Sequence, residues 1–344
     1  MYRFNSDYLE GAHPNILERL VKTNLIQTPG YGLDPISDSA KDKIRAACNA
    51  PDAKVYFMVG GTQTNYTVLD SILQRYEGVL AADTGHVAVH EAGAIEYSGH
   101  KVITVPEKDG KVDHVRARAF LESFYADSAW QHMVRPGAIY VSHPSEYGTL
   151  YSKAELTSLR ALCDEYGMRL FLDGARLGYG LVSDGSDLTL SDIAELCDVF
   201  YIGGTKVGAL FGEAVVFSNS KLGEAFFTEI KQHGALLAKG RILGVQFDEL
   251  FTDGLYERIS DRAVKLAMRI KNELKDKGYL FYNDSYTNQL FPIISKKKLN
   301  SLEGKVALDD WGPYGNKEDE MRLVRITTSW ATTEEAVDTL LSLL

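Results

Sequence analysis

The sequence has only three cysteines, Cys48, Cys163 and Cys197, and no two of them form a C-x-x-C pair. An odd, scattered set excludes a disulfide framework and a zinc knuckle, and it suits a reducing compartment, so a cytoplasmic protein is expected. Excess positive charge is missing too: 37 basic against 47 acidic side chains leave a net charge of −10. That balance argues against general affinity for nucleic acid or anionic membranes, and the short run Lys296-Lys297-Lys298 does not reverse it. No stretch reaches the roughly 18 apolar residues of a membrane span, and Met1-Tyr2-Arg3-Phe4-Asn5 does not open an apolar secretory segment. Low-complexity tracts and heptad or solenoid repeats are also lacking.

What remains is an ordered globular chain of 344 residues, 45% hydrophobic and 24% charged, long enough for one large core and a smaller one. Its centre of organisation is the stretch from Leu172 to Lys206. The apolar run Met168 to Leu172 reads as a buried strand that delivers Asp173, within D-G-A-R, to the carboxyl edge of a sheet, where open α/β folds bind ligands. A second run, Cys197 to Ile202, leads into Gly203-Gly204-Thr205-Lys206. A carboxylate and an amine emerging from neighbouring strands suit pyridoxal phosphate, which needs an amine to bond its aldehyde carbon and an anion to keep its ring nitrogen protonated.

Other sites repeat the pattern of a strand followed by polar residues. Lys54 to Val59 runs into Gly60-Gly61-Thr62 and a helix expected from Tyr66 to Tyr76, an order that suits a phosphate cradle and also an ordinary strand-to-helix turn. Gly78 to Ala82 leads to His86 and His90, readable as a pair on one helical face, as structural histidines, or as an aromatic ring beside a cofactor; no resident metal is expected. Gly137 to Val141 leads to Ser142-His143-Pro144-Ser145-Glu146-Tyr147-Gly148. Near the start, Gly30-Tyr31-Gly32 in a rigid turn presents a ring to a ligand, to another subunit or to solvent. Beyond Lys206, Ala214 to Phe217 reads as an edge or antiparallel strand, Leu222 to Leu250 as a long helical region, and Asn288 to Ile294 and Met321 to Thr327 as strands. The expected division is an arm over 1–35, a large α/β domain over 36–240 and a small α+β domain over 241–344.

Together these residues resemble the low-specificity threonine aldolases of the β-eliminating lyase group. The matches are Gly60-Gly61-Thr62, His86 ahead of Glu91-Ala92-Gly93-Ala94, Asp173-Gly174-Ala175-Arg176, Lys206 and Arg325, with Ser6 and Tyr31 in the N-terminal arm. The resemblance implies an aspartate-aminotransferase-like fold, with a mostly parallel seven-stranded sheet and a smaller C-terminal α+β domain. It implies pyridoxal 5'-phosphate bonded to Lys206, protonated opposite Asp173, held through Gly60, Gly61, Thr62 and Arg176, and stacked on His86, which also moves the proton of the substrate β-hydroxyl. It further implies an amino-acid substrate bound by Ser6, Arg176 and Arg325, with His143 near its hydroxyl, and a homodimer or homotetramer in which Tyr31 reaches a neighbouring site. The implied reaction is retro-aldol cleavage of a β-hydroxy-α-amino acid such as threonine or allo-threonine to glycine and an aldehyde. The alternatives are β-elimination or transamination with the same cofactor, and a cofactor-binding protein without turnover. Three departures bear on substrate: Gly60 stands where the family has serine, Val141 to Tyr147 replaces its E-N-T-H-N segment, and Gly203-Gly204-Thr205-Lys206 replaces its usual S-K context.

Overall fold

The computed structural model describes residues 1–315 and 320–344. Seven strands form the central sheet in the spatial order Lys54–Met58, Glu213–Phe217, Val199–Gly203, Arg169–Asp173, Arg135–Ser142, Glu77–Ala82 and Val102–Val105. Only the Glu213–Phe217 strand runs against its neighbours; every other adjacent pair is parallel. Alternation along each strand divides the core in two. Leu170, Leu172, Phe200 and Ile202 point to one face, and Phe171, Val199 and Tyr201 to the other. Helices cover both faces, as burial of a parallel sheet requires.

A second sheet joins Gln289–Leu290, Ile293–Ser295 and Asp309–Pro313 to the Met321–Thr327 strand, all antiparallel. Its core is a third cluster built on Leu266, Ile270, Leu290, Ile326 and Val337. The helix Leu255–Asp276 spans both bodies: Tyr256, Ile259 and Ala263 belong to the main core, Leu266, Ile270 and Leu274 to the third cluster. The first residues of the chain belong here as well. Tyr2–Arg3 pairs with Val306–Ala307, Phe4 is buried in the third cluster, and the Phe4 carbonyl accepts from the Thr327 amide at 2.7 Å. This anchoring carries Ser6, Asp7 and Tyr8 toward the carboxyl edge of the main sheet. Among the described residues no helix is long and apolar enough to cross a membrane.

Several boundaries differ from the sequence expectation for identifiable reasons. The first helix after the glycine pair starts at Gly61, not Tyr66, because Gly60 is the extended N-cap. The Ala214 strand is antiparallel but interior; Lys54–Met58 forms the edge. The expected Leu222–Leu250 helical region is two helices, Phe226–Gln232 and Arg241–Leu250, interrupted after Gly234, whose φ of 69° ends the first. Pro292 has no N–H to give a ladder, and the expected Asn288–Ile294 strand divides on either side of it.

Sheet and site meet at Gly203, where an added Cβ would lie 2.3 Å from the Ala175 carbonyl oxygen. That oxygen is backbone and cannot swing aside, so the D-G-A-R turn and the end of the Lys206-bearing strand would have to separate. Gly203→Ala is expected to cost about 1–3 kcal/mol, the usual range for overpacking, and to lower the melting temperature in thermal denaturation. Gly60→Ala, where a Cβ meets nothing within 4 Å, serves as the control and should unfold like the parent protein.

Candidate active site

Asp173 ends its strand at 3% exposure, and four donors converge on its carboxylate. Oδ1 accepts from the Ala175 amide at 2.9 Å and the Tyr201 hydroxyl at 2.5 Å; Oδ2 accepts from Asn65 Nδ2 at 3.0 Å and from the Tyr140 hydroxyl. Tyr140 and Tyr201 lie on the strands flanking Asp173, on the face that points toward its carboxylate. Burial first, then the Asp173 charge, pushes both phenols well above their ordinary range, so they remain donors.

Lys206 follows the next strand and lines the same cleft, its Nζ 5.9 Å from the centre of the Tyr8 ring. Glu213 fixes the turn that carries it, accepting from the Gly204 amide at 3.0 Å and the Thr205 hydroxyl at 2.7 Å. Burial pushes the Glu213 carboxyl up to about 8, against the pull of the Thr205 bond and the Lys206 charge. Gly61 and Thr62 open the helix Gly61–Ile72 at the cleft wall, and no side chain caps its N-terminus. The first amides of a 12-residue helix are therefore available to an anion.

His86 begins a short helix on the cleft wall. Its Nδ1 lies 3.1 Å from Glu146 Oε1 and its Nε2 3.8 Å from Glu91 Oε1. Burial pushes Glu91 up to about 7, although Asn65, which donates to both Glu91 and Asp173, opposes that shift. The rings of His86 and His90 are 5.5 Å apart. The metal-capable grouping found among the described residues is elsewhere, at Asp70, Glu229 and His233.

Two arginines reach the cleft. Arg176 donates from Nε and Nη2 to Asp7 at 2.7 and 3.1 Å, and Asp7 also accepts from Asn288 at 2.9 Å. Arg325 pairs with Asp309 at 2.8 Å, donates to Gln289 at 3.1 Å and packs against Trp311 at 5.2 Å; its Nε is buried without a partner among the described residues. Ser6 is buried just behind this region, its hydroxyl likewise unpartnered among the described residues.

The cleft thus brings together Gly61, Thr62, His86, Arg176, Lys206 and Arg325 in a volume of about 740 Å³, with Gly60 and Asp173 against its wall. Three expected residues are not among them: Ser6, which is buried and outside the lining, Tyr31 and His143. Tyr31, with φ 62°, lies on a separate groove beside Lys231 and is 43% exposed. His143 is a correction: it is fully buried in the core, its Nδ1 accepting from the Tyr151 amide at 3.2 Å and its ring packed near Gly180 and Tyr151. Burial pushes that imidazole down to about 4. The segment Val141 to Tyr147 turns His143 inward and presents Glu146 to the cleft instead.

Comparison with known proteins gives this geometry its family. Residues 4–297 match the beta-eliminating lyase family. The chain belongs to that family. A low specificity L-threonine aldolase from Pseudomonas sp. is 30% identical over 306 residues, covering 88% of this lyase and 87% of that relative. The structure of a Leishmania major threonine aldolase superposes with a TM-score of 0.95 at 40% identity, over 100% of this chain and 98% of that one. A Thermus thermophilus aspartate aminotransferase variant shares the fold, with a TM-score of 0.71 at 17% identity, over 100% and 92%. Beta-eliminating lyases and aminotransferases of this fold are pyridoxal-phosphate-dependent families.

The residues of this lyase fit that cofactor. An uncapped helix N-terminus suits its phosphate, a buried anion its ring nitrogen, and an amine lining the same cleft its aldehyde carbon. Asp173 would keep the ring nitrogen protonated; the Tyr201 hydroxyl, which donates to its Oδ1, is itself part of the cleft wall.

The Asp7–Arg176 pair is almost wholly removed from water. Burial alone would raise the Asp7 carboxyl, but the charges of Arg176 and Lys206 and the bonds from Arg176 and Asn288 hold it below the usual range. Asp7→Asn leaves a buried guanidinium uncompensated and should cost about 3–5 kcal/mol in urea unfolding at pH 7. The depressed folded-state value means that this stabilisation is complete above the ordinary carboxylate range. The gap between parent and variant should therefore narrow as pH falls below about 4.

Proposed function

We propose that this lyase is a pyridoxal-phosphate-dependent aldolase that cleaves a β-hydroxy-α-amino acid, threonine or allo-threonine, to glycine and acetaldehyde. The observation that carries the reading is the single cleft in which Lys206 and Asp173 stand ready for the cofactor, while His86 and Arg325 remain for the substrate. The relatives at 30% and 40% identity are threonine aldolases. When bound, the cofactor supplies an electron sink for the pair left at Cα. Asp173 keeps the ring nitrogen protonated, the Gly61 and Thr62 amides hold the phosphate, and Lys206 supplies the amine. Arg325 orients the substrate carboxylate by charge-assisted bonds, exchanging its contact with Asp309. Arg176, tied to Asp7, adds positive charge beside it. His86 accepts the β-hydroxyl proton, and Tyr8 and Trp311 narrow the mouth against water.

In this reading the large domain, 36–240, carries Asp173 and Lys206, the small one, 241–344, carries Arg325, and the arm lies between them. The exposed Tyr31 ring, outside its own cleft, supports an assembly of two or four copies in which it faces a partner. Three buried free cysteines are consistent with a cytoplasmic home.

The test is a proton NMR time course of cofactor-loaded protein with L-threonine and L-allo-threonine. Glycine and acetaldehyde are expected; 2-oxobutyrate would move the function to elimination. Arg325→Leu should raise KM for the amino acid by about 10- to 150-fold, the worth of a charge-assisted hydrogen bond of about 1.5–3 kcal/mol. In steady-state kinetics kcat should fall much less than KM rises.

A further inference from the structure

Glu146 has no part in the reading above, yet it is the residue bonded to the imidazole that the reaction needs. It lines the cleft with its side chain 14% exposed, and its Oε1 lies 3.1 Å from His86 Nδ1. No bond to its Oε2 is found among the described residues, and that oxygen is not among the fully buried ones. We propose that Glu146 is a positioning residue that holds His86 as the Nδ1–H tautomer, leaving Nε2 to take the β-hydroxyl proton of the substrate. The proposal rests on the aldolase reading.

The turn that carries Glu146 is built to hold it still. The Ser145 amide donates to the Thr149 carbonyl at 2.9 Å, the Gly148 amide to the Ser145 carbonyl at 2.9 Å, and the Ser145 and Thr149 hydroxyls meet at 2.5 Å. From the small domain, Asn283 donates to the Tyr147 carbonyl at 2.7 Å and Ser285 to the Gly148 carbonyl at 3.1 Å. Gly148 sits at φ 68°, with Ser285 Oγ 2.6 Å from where a Cβ would be. A carboxylate on so constrained a turn fixes the ring it bonds, as the aspartate of a Ser-His-Asp triad fixes its histidine.

Proton affinity decides which member of the pair is the base. Burial works against the Glu146 anion, but the His86 bond and charge, with Arg176 and Lys206 nearby, hold its carboxyl well below the ordinary range. Such a group is a poor acceptor for a hydroxyl proton. Burial also works against protonated His86, but the Glu146 bond and charge, helped by Asp173, outweigh it and the opposing Lys206, so the imidazole lies above its ordinary 6.5. The ionisable groups facing that ring are Glu146, Glu91, Asp173 and Lys206, with the His90 ring at 5.5 Å. Glu91 is the rival partner, and a bond from it would select the opposite tautomer, but 3.8 Å is too long for one. In the step itself the hydroxyl proton passes to Nε2, the oxygen becomes the aldehyde carbonyl, and the Cα–Cβ pair stays with the glycine fragment until Cα is protonated.

Glu146→Gln keeps the shape of the side chain and removes its charge. Retention of bound-cofactor absorbance and of the melting temperature shows that the variant is folded. In 15N-histidine-labelled holoenzyme, with His86 assigned through His86→Gln, the parent should show Nδ1 protonated in the neutral ring. In the variant the His86 pKa should fall by about one unit, a tenfold weaker proton affinity, and the tautomers should mix. kcat/KM should drop about 10- to 100-fold with its acid limb shifted in parallel and KM nearly unchanged. An unmoved His86 titration and tautomer in Glu146→Gln, whether or not activity falls, overturns the dyad. Absence of glycine and acetaldehyde from the parent overturns the aldolase reading, and the proton transfer with it.

Discussion

The buried carboxylate of Asp173 is the constraint on which the rest of the site depends. An anion at 3% exposure is tolerable only if its lone pairs are met, and here strand neighbours, a helix residue and the following turn all contribute donors. Satisfying it fixes the Tyr140 and Tyr201 strands in register and draws the helix that carries Asn65 against the sheet. That helix is the one whose N-terminus opens on the cleft. Asn65 also bonds Glu91, so the Asp173 contacts extend to the loop behind His86. Once the anion is met, the positions of the Gly61 helix N-terminus, Asp173 and Lys206 are no longer independent.

A second buried pair joins the two bodies of the molecule. Asp7 arrives from the N-terminal stretch, Arg176 from the D-G-A-R turn and Asn288 from the residue before the Gln289–Leu290 strand, all at one point. The arm is held there because Tyr2–Arg3 and Phe4 are stitched into the small sheet. The sheet that brings Arg325 over the cleft is thus tied to the central sheet by an ion pair almost wholly removed from water.

How much of this was legible in the sequence follows the range of the interactions. Asp173, Arg176 and Lys206 stand within or just after strands whose apolar runs announce them, and the glycines before the Gly61 helix are a local signal. Strand alternation could also have shown that Tyr140 and Tyr201 share a face, although not that Asp173 would lie opposite them. Asp7 and Glu213 gave no such signal. Asp7 meets Arg176 from 169 positions away, and nothing local marks the partnership. Glu213 reads as part of a strand, and its role depends on a turn that brings Gly204 back beside it. The resemblance places His143 near the substrate hydroxyl because it stands in the segment that replaces the family's E-N-T-H-N. The path of one turn exchanged it for Glu146, and a one-dimensional pattern does not specify which polar residue of a turn faces inward.

A pyridoxal phosphate site formed by Lys206 and Asp173 can be demonstrated by reducing the cofactor-loaded protein with borohydride and mapping the modified peptide by mass spectrometry. One cofactor-derived mass increment per chain is expected, on the peptide containing Lys206, and its loss in Lys206→Ala. Stoichiometric labelling of another lysine, or none at all in protein that has taken up the cofactor, would contradict it.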